Sequence, residues 1–303
     1  MIYMASKIKM TFLGTSDAIP SAKRNHTAIF LNYGQENILI DCGEGTQRQF
    51  RKARLNPCKI TRILITHWHG DHVLGIPGLL QTLTLSGYNK TLYIYGPKGT
   101  KHHMNEMMKA FRFGGTYKME VKEVKGKFFE TPDFYLKAEA MKHGTPANAY
   151  NFVIKDNIRI DRAKLKKSKL PAGPFLQKLK QGKDISYKGK KYKAKDLTYS
   201  EKGKKISIVL DTLMHSKIVP FVKNADLLVC ESSFGKELET HAKKHLHLTS
   251  EQAAGIAKKG KVGKLILTHI SGRYEKNMKK ILGESKKVFK NSFLVSDLDT
   301  FEV

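Results

Sequence analysis

Ile63-Leu64-Ile65-Thr66-His67-Trp68-His69-Gly70-Asp71-His72 places four potential metal ligands within six residues, directly behind a short apolar run. Three consecutive large aliphatics are too few for a helix and read as a buried strand. Ile76-Pro77-Gly78-Leu79-Leu80 follows, and a proline in that position marks the first turn of a helix. The ligand-bearing segment is therefore expected on the tight connection between a strand and a helix, where α/β proteins place their chemistry. On a straight strand, alternate side chains would diverge; on a tight loop His67, His69, Asp71 and His72 can converge on metal.

Strand-like runs recur outward from this point. Lys9–Leu13 is a first strand. Thr27–Leu31 and Asn37–Ile40 read as a hairpin about Tyr33-Gly34-Gln35-Glu36. Thr46 and Gln49 have the spacing of a capping box for a basic helix over Gln47–Arg54. Further strands are expected at Thr91–Tyr95, Phe134–Ala138 (running on to Met141-Lys142-His143), Ile206–Leu210, Asp226–Cys230 and Lys264–Leu267, with Phe293–Val295 closing the chain. A Met-rich helix is expected over Lys101–Phe111, and a capped one over Glu251–Lys259, with Thr249 and Gln252 as its capping box. Leu265-Ile266-Leu267-Thr268-His269 echoes Ile63-Leu64-Ile65-Thr66-His67. Each half also has a strand delivering an aspartate, Asp41 and Asp211. Two similar halves of this kind imply two sheets packed face to face with helices outside, and ligands meeting along one edge.

Beyond the first cluster, the candidate ligands at strand ends are His143, Asp211 and His269. Together with His67, His69, Asp71 and His72 they exceed what one tetrahedral ion can use. They suit a two-ion hydrolytic site, competent for a phosphodiester and equally for a β-lactam or thioester. His26, His102, His103, His215, His241 and His245 lack such placement and read as surface or supporting residues.

Charge selects among these substrates. The 303-residue chain carries a net charge of +28 and a pI near 9.9, which points to a polyanionic partner. Between Lys155 and Lys205 stand 18 Lys plus Arg against 5 Asp plus Glu, about +13, with sparse apolar residues and scattered glycines. This segment reads as an inserted, protruding basic arm on a single domain spanning 1–303. Leu170-Pro171-Ala172-Gly173-Pro174-Phe175-Leu176 supplies a small apolar knot within it. Small neutral substrates need no such arm; phosphates do. The remaining readings are a broader phosphodiesterase acting on small or other RNA substrates, and a non-catalytic RNA-binding scaffold, against which the full ligand set argues. No apolar run is long enough for a membrane span, Met1–Met10 lacks a secretory apolar core, and three scattered cysteines build no disulfide framework. A reducing cytoplasm is expected.

Phe12-Leu13-Gly14-Thr15-Ser16, the His67–His72 motif, His143-Gly144, Asp211-Thr212, His269 and the arm with Gly173-Pro174 and Lys178-Leu179-Lys180-Gln181-Gly182 together resemble the metallo-β-lactamase superfamily. Within it they resemble the short form of ribonuclease Z, the transfer-RNA 3′-processing endonucleases. The resemblance implies a four-layer αββα sandwich with a protruding basic arm. It also implies a zinc-dependent endoribonuclease that removes the 3′ trailer of precursor transfer RNA, leaving a 3′-hydroxyl on the transfer RNA and a 5′-phosphate on the trailer. It assigns two Zn2+ per subunit: His67, His69 and His143 to the first ion, Asp71, His72 and His269 to the second, and Asp211 as the bridge; a His/Asp site also accepts Mn2+ as a substitute. Asp71 would also orient or deprotonate the attacking water, His247 protonate the departing 3′ oxygen, and Glu231 hold the His247 tautomer. Lys23, Arg24, Gly173, Pro174, Lys178 and Lys180 are the expected RNA contacts. A homodimer is implied, in which the arm of one subunit clamps the transfer RNA cut by the other. The chain departs from the family at Pro20-Ser21-Ala22-Lys23-Arg24-Asn25, where the lysine is displaced by one. It also reads Cys230-Glu231-Ser232-Ser233 for His-Glu-Ala-Thr, and Trp68 replaces an aliphatic residue.

Overall fold

The computed structural model describes residues 8–111 and 114–303, so most of the Met1–Met10 stretch lies outside the described residues. Two seven-stranded mixed sheets form the centre. One has the order Thr300–Glu302, Lys9–Gly14, Ala28–Tyr33, Glu36–Ile40, Arg62–Leu64, Leu92–Gly96, Met119–Glu123. The other has the order Ser292–Leu294, Lys264–Thr268, Leu227–Glu231, Lys205–Val209, Ala147–Ile154, Phe134–Met141, Gly126–Glu130.

Strand side chains alternate between faces. Met10, Phe12, Ile29, Leu31, Ile38 and Ile40 of the first sheet meet Leu136, Phe152, Ile206, Ile208, Val229 and Ile266 of the second in one buried core. Their sequence neighbours Leu13, Phe30 and Leu39 face outward, beneath the helices Thr46–Lys52, Ile76–Leu85 and Thr100–Ala110. Leu228, Cys230, Leu265 and Leu267 lie beneath Ile218–Val222, Ser250–Lys259 and Met278–Val288. The strands are buried on both faces, which explains why Ile38-Leu39-Ile40 and Leu227-Leu228-Val229-Cys230 show continuous apolar runs rather than alternation. The order helix, sheet, sheet, helix is the four-layer sandwich expected.

Several local expectations need correction. Thr46 does not cap its helix. Gly45, at φ 76°, is the cap residue, Thr46 donates to the Gly43 carbonyl, and Gln49 turns inward to donate to the Leu13 carbonyl and to Asp297. Phe293 does not close the chain, because Thr300–Glu302 returns to pair antiparallel with Lys9–Thr11 in the other sheet. The capping box of Thr249 and Gln252 is present in full.

The basic segment folds on a stem of two antiparallel strands, Asn157–Ile160 and Thr198–Glu201. Above it, Leu170, Leu179, Ile185, Ala194 and Leu197 bury one another, with Leu165, Phe175, Leu176, Tyr187 and Tyr192 packed around them. The stem follows the strand Ala147–Ile154 at its far end, while the ligand-bearing loops lie at the near end. An eight-residue strand is roughly 26 Å long, so the stem begins about that far along the sheet from the ligand-bearing loops.

Candidate metal centre

The centre is built at one edge of the two sheets. The parallel strand Arg62–Leu64 leads through Ile65 into the ligand-bearing loop, and a single helical turn, Gly70–Val73, follows. That turn directs Asp71 and His72 inward. Close approach of the neighbouring loop requires glycine: a Cβ at Gly43 would overlap the Asp71 carbonyl oxygen, and one at Gly75 would overlap the Gly43 carbonyl oxygen. From the opposite sheet, His143 follows Phe134–Met141, Asp211 follows Lys205–Val209, and His269, at φ 55°, follows Lys264–Thr268.

All seven expected ligands converge, in two overlapping groups. In the first, His69 Nδ1 lies 3.1 Å from both His67 Nε2 and His143 Nε2. Asp211 Oδ2 lies 3.6 Å from His67 Nε2 and 3.8 Å from His143 Nε2. In the second, His72 Nε2 stands 3.1 Å from Asp71 Oδ2 and 3.3 Å from His269 Nε2. Asp211 Oδ2 lies 3.5 Å from His72 Nε2, and Asp211 Oδ1 lies 3.2 Å from His269 Nε2. Asp211 thus belongs to both groups.

These spacings fit divalent ions. Tetrahedral coordination at about 2.0–2.1 Å sets ligand atoms about 3.3–3.4 Å apart. Aiming several imidazole nitrogens at one another is otherwise unfavourable, since at most one of each pair can donate. Asp211 Oδ1 is enclosed and, although 3.2 Å from His269 Nε2, makes no hydrogen bond among the described residues. That orphaned oxygen is the signature of a position meant for a cation.

The surrounding hydrogen bonds fix the ligands' orientation. Asp41, buried and held at φ 56°, accepts from the Thr66 amide and hydroxyl and, at 2.6 Å, from His72 Nδ1. Thr66 Oγ1 also contacts His67 Nδ1, and the Leu246 carbonyl contacts His143 Nδ1. Ser233 Oγ lies 2.9 Å from His269 Nδ1 and donates to Glu231 Oε2 at 2.7 Å. Each of these four imidazoles thus has its outer nitrogen engaged and its inner nitrogen facing the centre. Asp41 was visible in the sequence as a strand-end aspartate without a role. Ser233 occupies the threonine place of the family's His-Glu-Ala-Thr and keeps its hydroxyl.

Electrostatics follow from this crowding. Burial and the adjacent His72 hold His67 well below its ordinary value, and burial also lowers His143. His72 is raised well above it, because Asp211 and Asp41 outweigh burial. Asp71 stays ionised far below the usual carboxylate range: burial opposes this, and hydrogen bonds from His269 and His72 overcome it. The centre therefore keeps its two carboxylates negative, ready to receive cations.

His247 and Glu231 lie beside the ligands. His247 Nδ1 is 3.1 Å from both carboxylate oxygens of Glu231, and its ring stacks 5.6 Å from that of His269. Burial acts to lower His247, but Glu231 and then Asp211 prevail and raise it to about 10. Glu231 is fully buried and also accepts from the Thr212 amide.

Among the expected RNA contacts, Lys23, Pro174, Lys178 and Lys180 are exposed, and Gly173 is partly so. Arg24 is a correction. It is 7% exposed, and its guanidinium donates to Thr15 Oγ1 and the Thr15 carbonyl. It is used inside the fold, braced with Asp297, and offers nothing to a phosphate. Trp68 donates to Thr100 Oγ1 and lies against His103, which accommodates its bulk.

Comparison with known proteins places this geometry. Residues 8–160 match the family described as anti-Pycsar protein Apyc1. Ribonuclease Z of Listeria welshimeri is 38% identical over 308 residues, covering 98% of this chain and 99% of that protein. Human tRNase Z, short form, superposes with a TM-score of 0.70 at 26% identity, over 97% of this chain and 98% of that one. The metallo-β-lactamase fold protein YhfI of Bacillus subtilis superposes with a TM-score of 0.72 at 18% identity, over 98% of this chain and 100% of that one.

Proposed function

Because this chain belongs to the ribonuclease Z family and is a transfer-RNA 3′-processing endoribonuclease of the metallo-β-lactamase fold, we propose that it cuts with the centre described above, loaded with two zinc ions. His67, His69 and His143 would hold one ion, Asp71, His72 and His269 the other, with Asp211 between them; Mn2+ would be an acceptable substitute. Two divalent ions supply Lewis-acid activation of water and neutralise charge building on the phosphoryl group. The observation that carries this reading is the pair of ligand groups sharing Asp211 at coordination spacing.

The chain's own residues do the rest. Asp71, kept ionised, accepts a hydrogen bond from the attacking water and orients it toward phosphorus. His247, holding its proton, donates it to the departing 3′ oxygen of the transfer RNA; the phosphate stays on the trailer as its 5′ group. Glu231 accepts from His247 Nδ1, so that the proton delivered comes from Nε2. Lys178, Lys180 and the Gly173-Pro174 turn, on the basic segment 155–205, contact phosphates of the transfer RNA body, with Lys23 nearer the cut. The segment's placement at the far end of its strand suits contact remote from the cut. A homodimer, in which each segment serves the partner's centre, and residence in the cytoplasm complete the proposal. No helix among the described residues is long and apolar enough to cross a membrane.

The test is incubation with 3′-extended precursor transfer RNAs, with and without CCA, and mapping of the product ends. Cleavage just after the discriminator base, leaving 3′-hydroxyl and 5′-phosphate ends, is expected. In Asp71→Ala, cleavage should fall at least about 10²-fold while RNA binding persists. Wild-type rates in that variant would remove Asp71 from the mechanism.

A further inference from the structure

A cavity of about 310 Å3 opens beside the first ligand group, between the ends of the two sheets. Its walls include Pro97, Val124, Met141 and Pro146, and Lys98 and Lys125 stand at its rim. It adjoins the centre through the chain itself. Met141 is two residues before His143, and Asn148, also in the lining, donates its backbone N–H to the carbonyl of Thr66, next to His67. In the first sheet the strands that form it, Leu92–Gly96 and Met119–Glu123, lie outside Arg62–Leu64; in the second it is formed by the end of Phe134–Met141, the strand that leads to His143, and the start of Ala147–Ile154. The cavity thus adjoins the site along the sheet edge, on the side of the strand that leads to His143.

Its polar groups are already arranged. Glu123 accepts at one oxygen from the Gly99 and Lys101 amides, across the start of the helix Thr100–Ala110. Asn148 Nδ2 donates to the Val124 carbonyl. The apolar walls have no such partner, and Lys98 and Lys125 are exposed and appear in no ion pair among the described residues. An apolar slot with cations at its lip matches a flat aromatic base attached to a phosphodiester. The volume is at the low end of the roughly 300–1,000 Å3 of small-molecule sites: room for one unpaired nucleotide, not a base pair.

We propose that this cavity seats the base of a single nucleotide flanking the scissile phosphate, with Lys98 and Lys125 pairing its phosphates. The proposal rests on the reading of the centre as an RNA-cutting site. It makes Pro97, Val124, Met141 and Pro146 a positioning surface: seating the base there sets the register of the strand across the metal ligands.

The test pairs substrate and protein changes. Precursor transfer RNAs carrying an abasic residue on the 5′ side of the cut, or on the 3′ side, are compared with the intact precursor, in the wild type, in Val124→Trp, which fills the slot, and in Lys98→Ala/Lys125→Ala. In the wild type, one of the two abasic substrates should lose roughly tenfold in kcat/KM, the order expected for one stacked base; which one it is tells the side of the cut. In Val124→Trp the intact precursor should fall by a similar factor and the abasic penalty should vanish. In the lysine variant KM should rise for both substrates, and the salt dependence of kcat/KM should flatten. Structural damage alone would lower all substrates together and leave the penalty intact; that result, or a wild type indifferent to both abasic changes, overturns the proposal. A wild type that cuts no precursor would instead refute the RNA-cutting reading itself.

Discussion

Asp41→Asn removes one charge and changes almost no volume, yet it should disable metal retention. The carboxylate faces only donors: the Thr66 amide at Oδ1, and the Thr66 hydroxyl and His72 Nδ1 at Oδ2, at 2.7, 2.7 and 2.6 Å. An asparagine has one accepting atom and one donating group in the same places. If its NH2 turns toward His72, the imidazole must move its proton to Nε2, the atom that faces the ligand group. If it turns the other way, two N–H groups oppose each other in a fully buried site, at a cost of about 1–3 kcal/mol. Loss of such an outer partner typically weakens metal binding 10–100-fold, about 1.4–2.7 kcal/mol. The backbone is not the confounder, because asparagine tolerates the left-handed φ of 56° as well as aspartate does. The assay is metal content after dialysis against graded chelator, read beside far-UV circular dichroism. A folded Asp41→Asn protein that holds metal as tightly as the wild type would refute the reasoning.

Other expectations follow from the same geometry. His247→Ala should lower kcat on precursor transfer RNA by roughly 10²–10⁴-fold, and a substrate with sulfur as the departing 3′ atom, which needs no proton, should recover most of the loss; equal losses for oxygen and sulfur would exclude an acid role. Lys178→Ala/Lys180→Ala should weaken transfer-RNA binding and reduce the slope of log K against log salt by about one per lost phosphate contact; an unchanged slope would separate this turn from the RNA. Arg24→Met should lower stability by roughly 1.5–3 kcal/mol, as loss of charge-assisted hydrogen bonds does, and leave that slope unaltered in filter binding; a flatter slope would return Arg24 to the RNA interface.

The sandwich and the seven converging candidate ligands were legible because several buried strands are written as apolar runs followed closely by a histidine or aspartate, as at Asp41, His67, Asp211 and His269. The strands that escaped notice are written differently. Ala147–Ile154 carries Asn148 and Asn151, whose amides satisfy the Val124 and Phe221 carbonyls, so its burial is masked by polar letters. Met119–Glu123 and Gly126–Glu130 are sheet edges, half exposed and rich in Lys and Glu. Arg24 was misjudged for a related reason: a cation in a polar loop looks like a surface group until Thr15 and Asp297, nine and 273 positions away, close around it. Of the partners of these residues, Asp41 was visible only as a strand-end aspartate and Ser233 not at all; what each does is identified by which imidazole nitrogen it touches.

The return of Thr300–Glu302 to the strand that begins at Lys9 has a consequence for the order of events during synthesis. Asp297, just before it, accepts from Thr15, Asn25 and Gln49, and so anchors loops laid down at the very start. At about 5–20 residues per second, a chain of 303 residues takes roughly 15–60 seconds to make. For nearly all of that time the first sheet lacks its edge, and the centre lacks His269. The positive charge of the segment 155–205 thus precedes the full set of candidate ligands in order of synthesis, and the strand that edges the first sheet follows both.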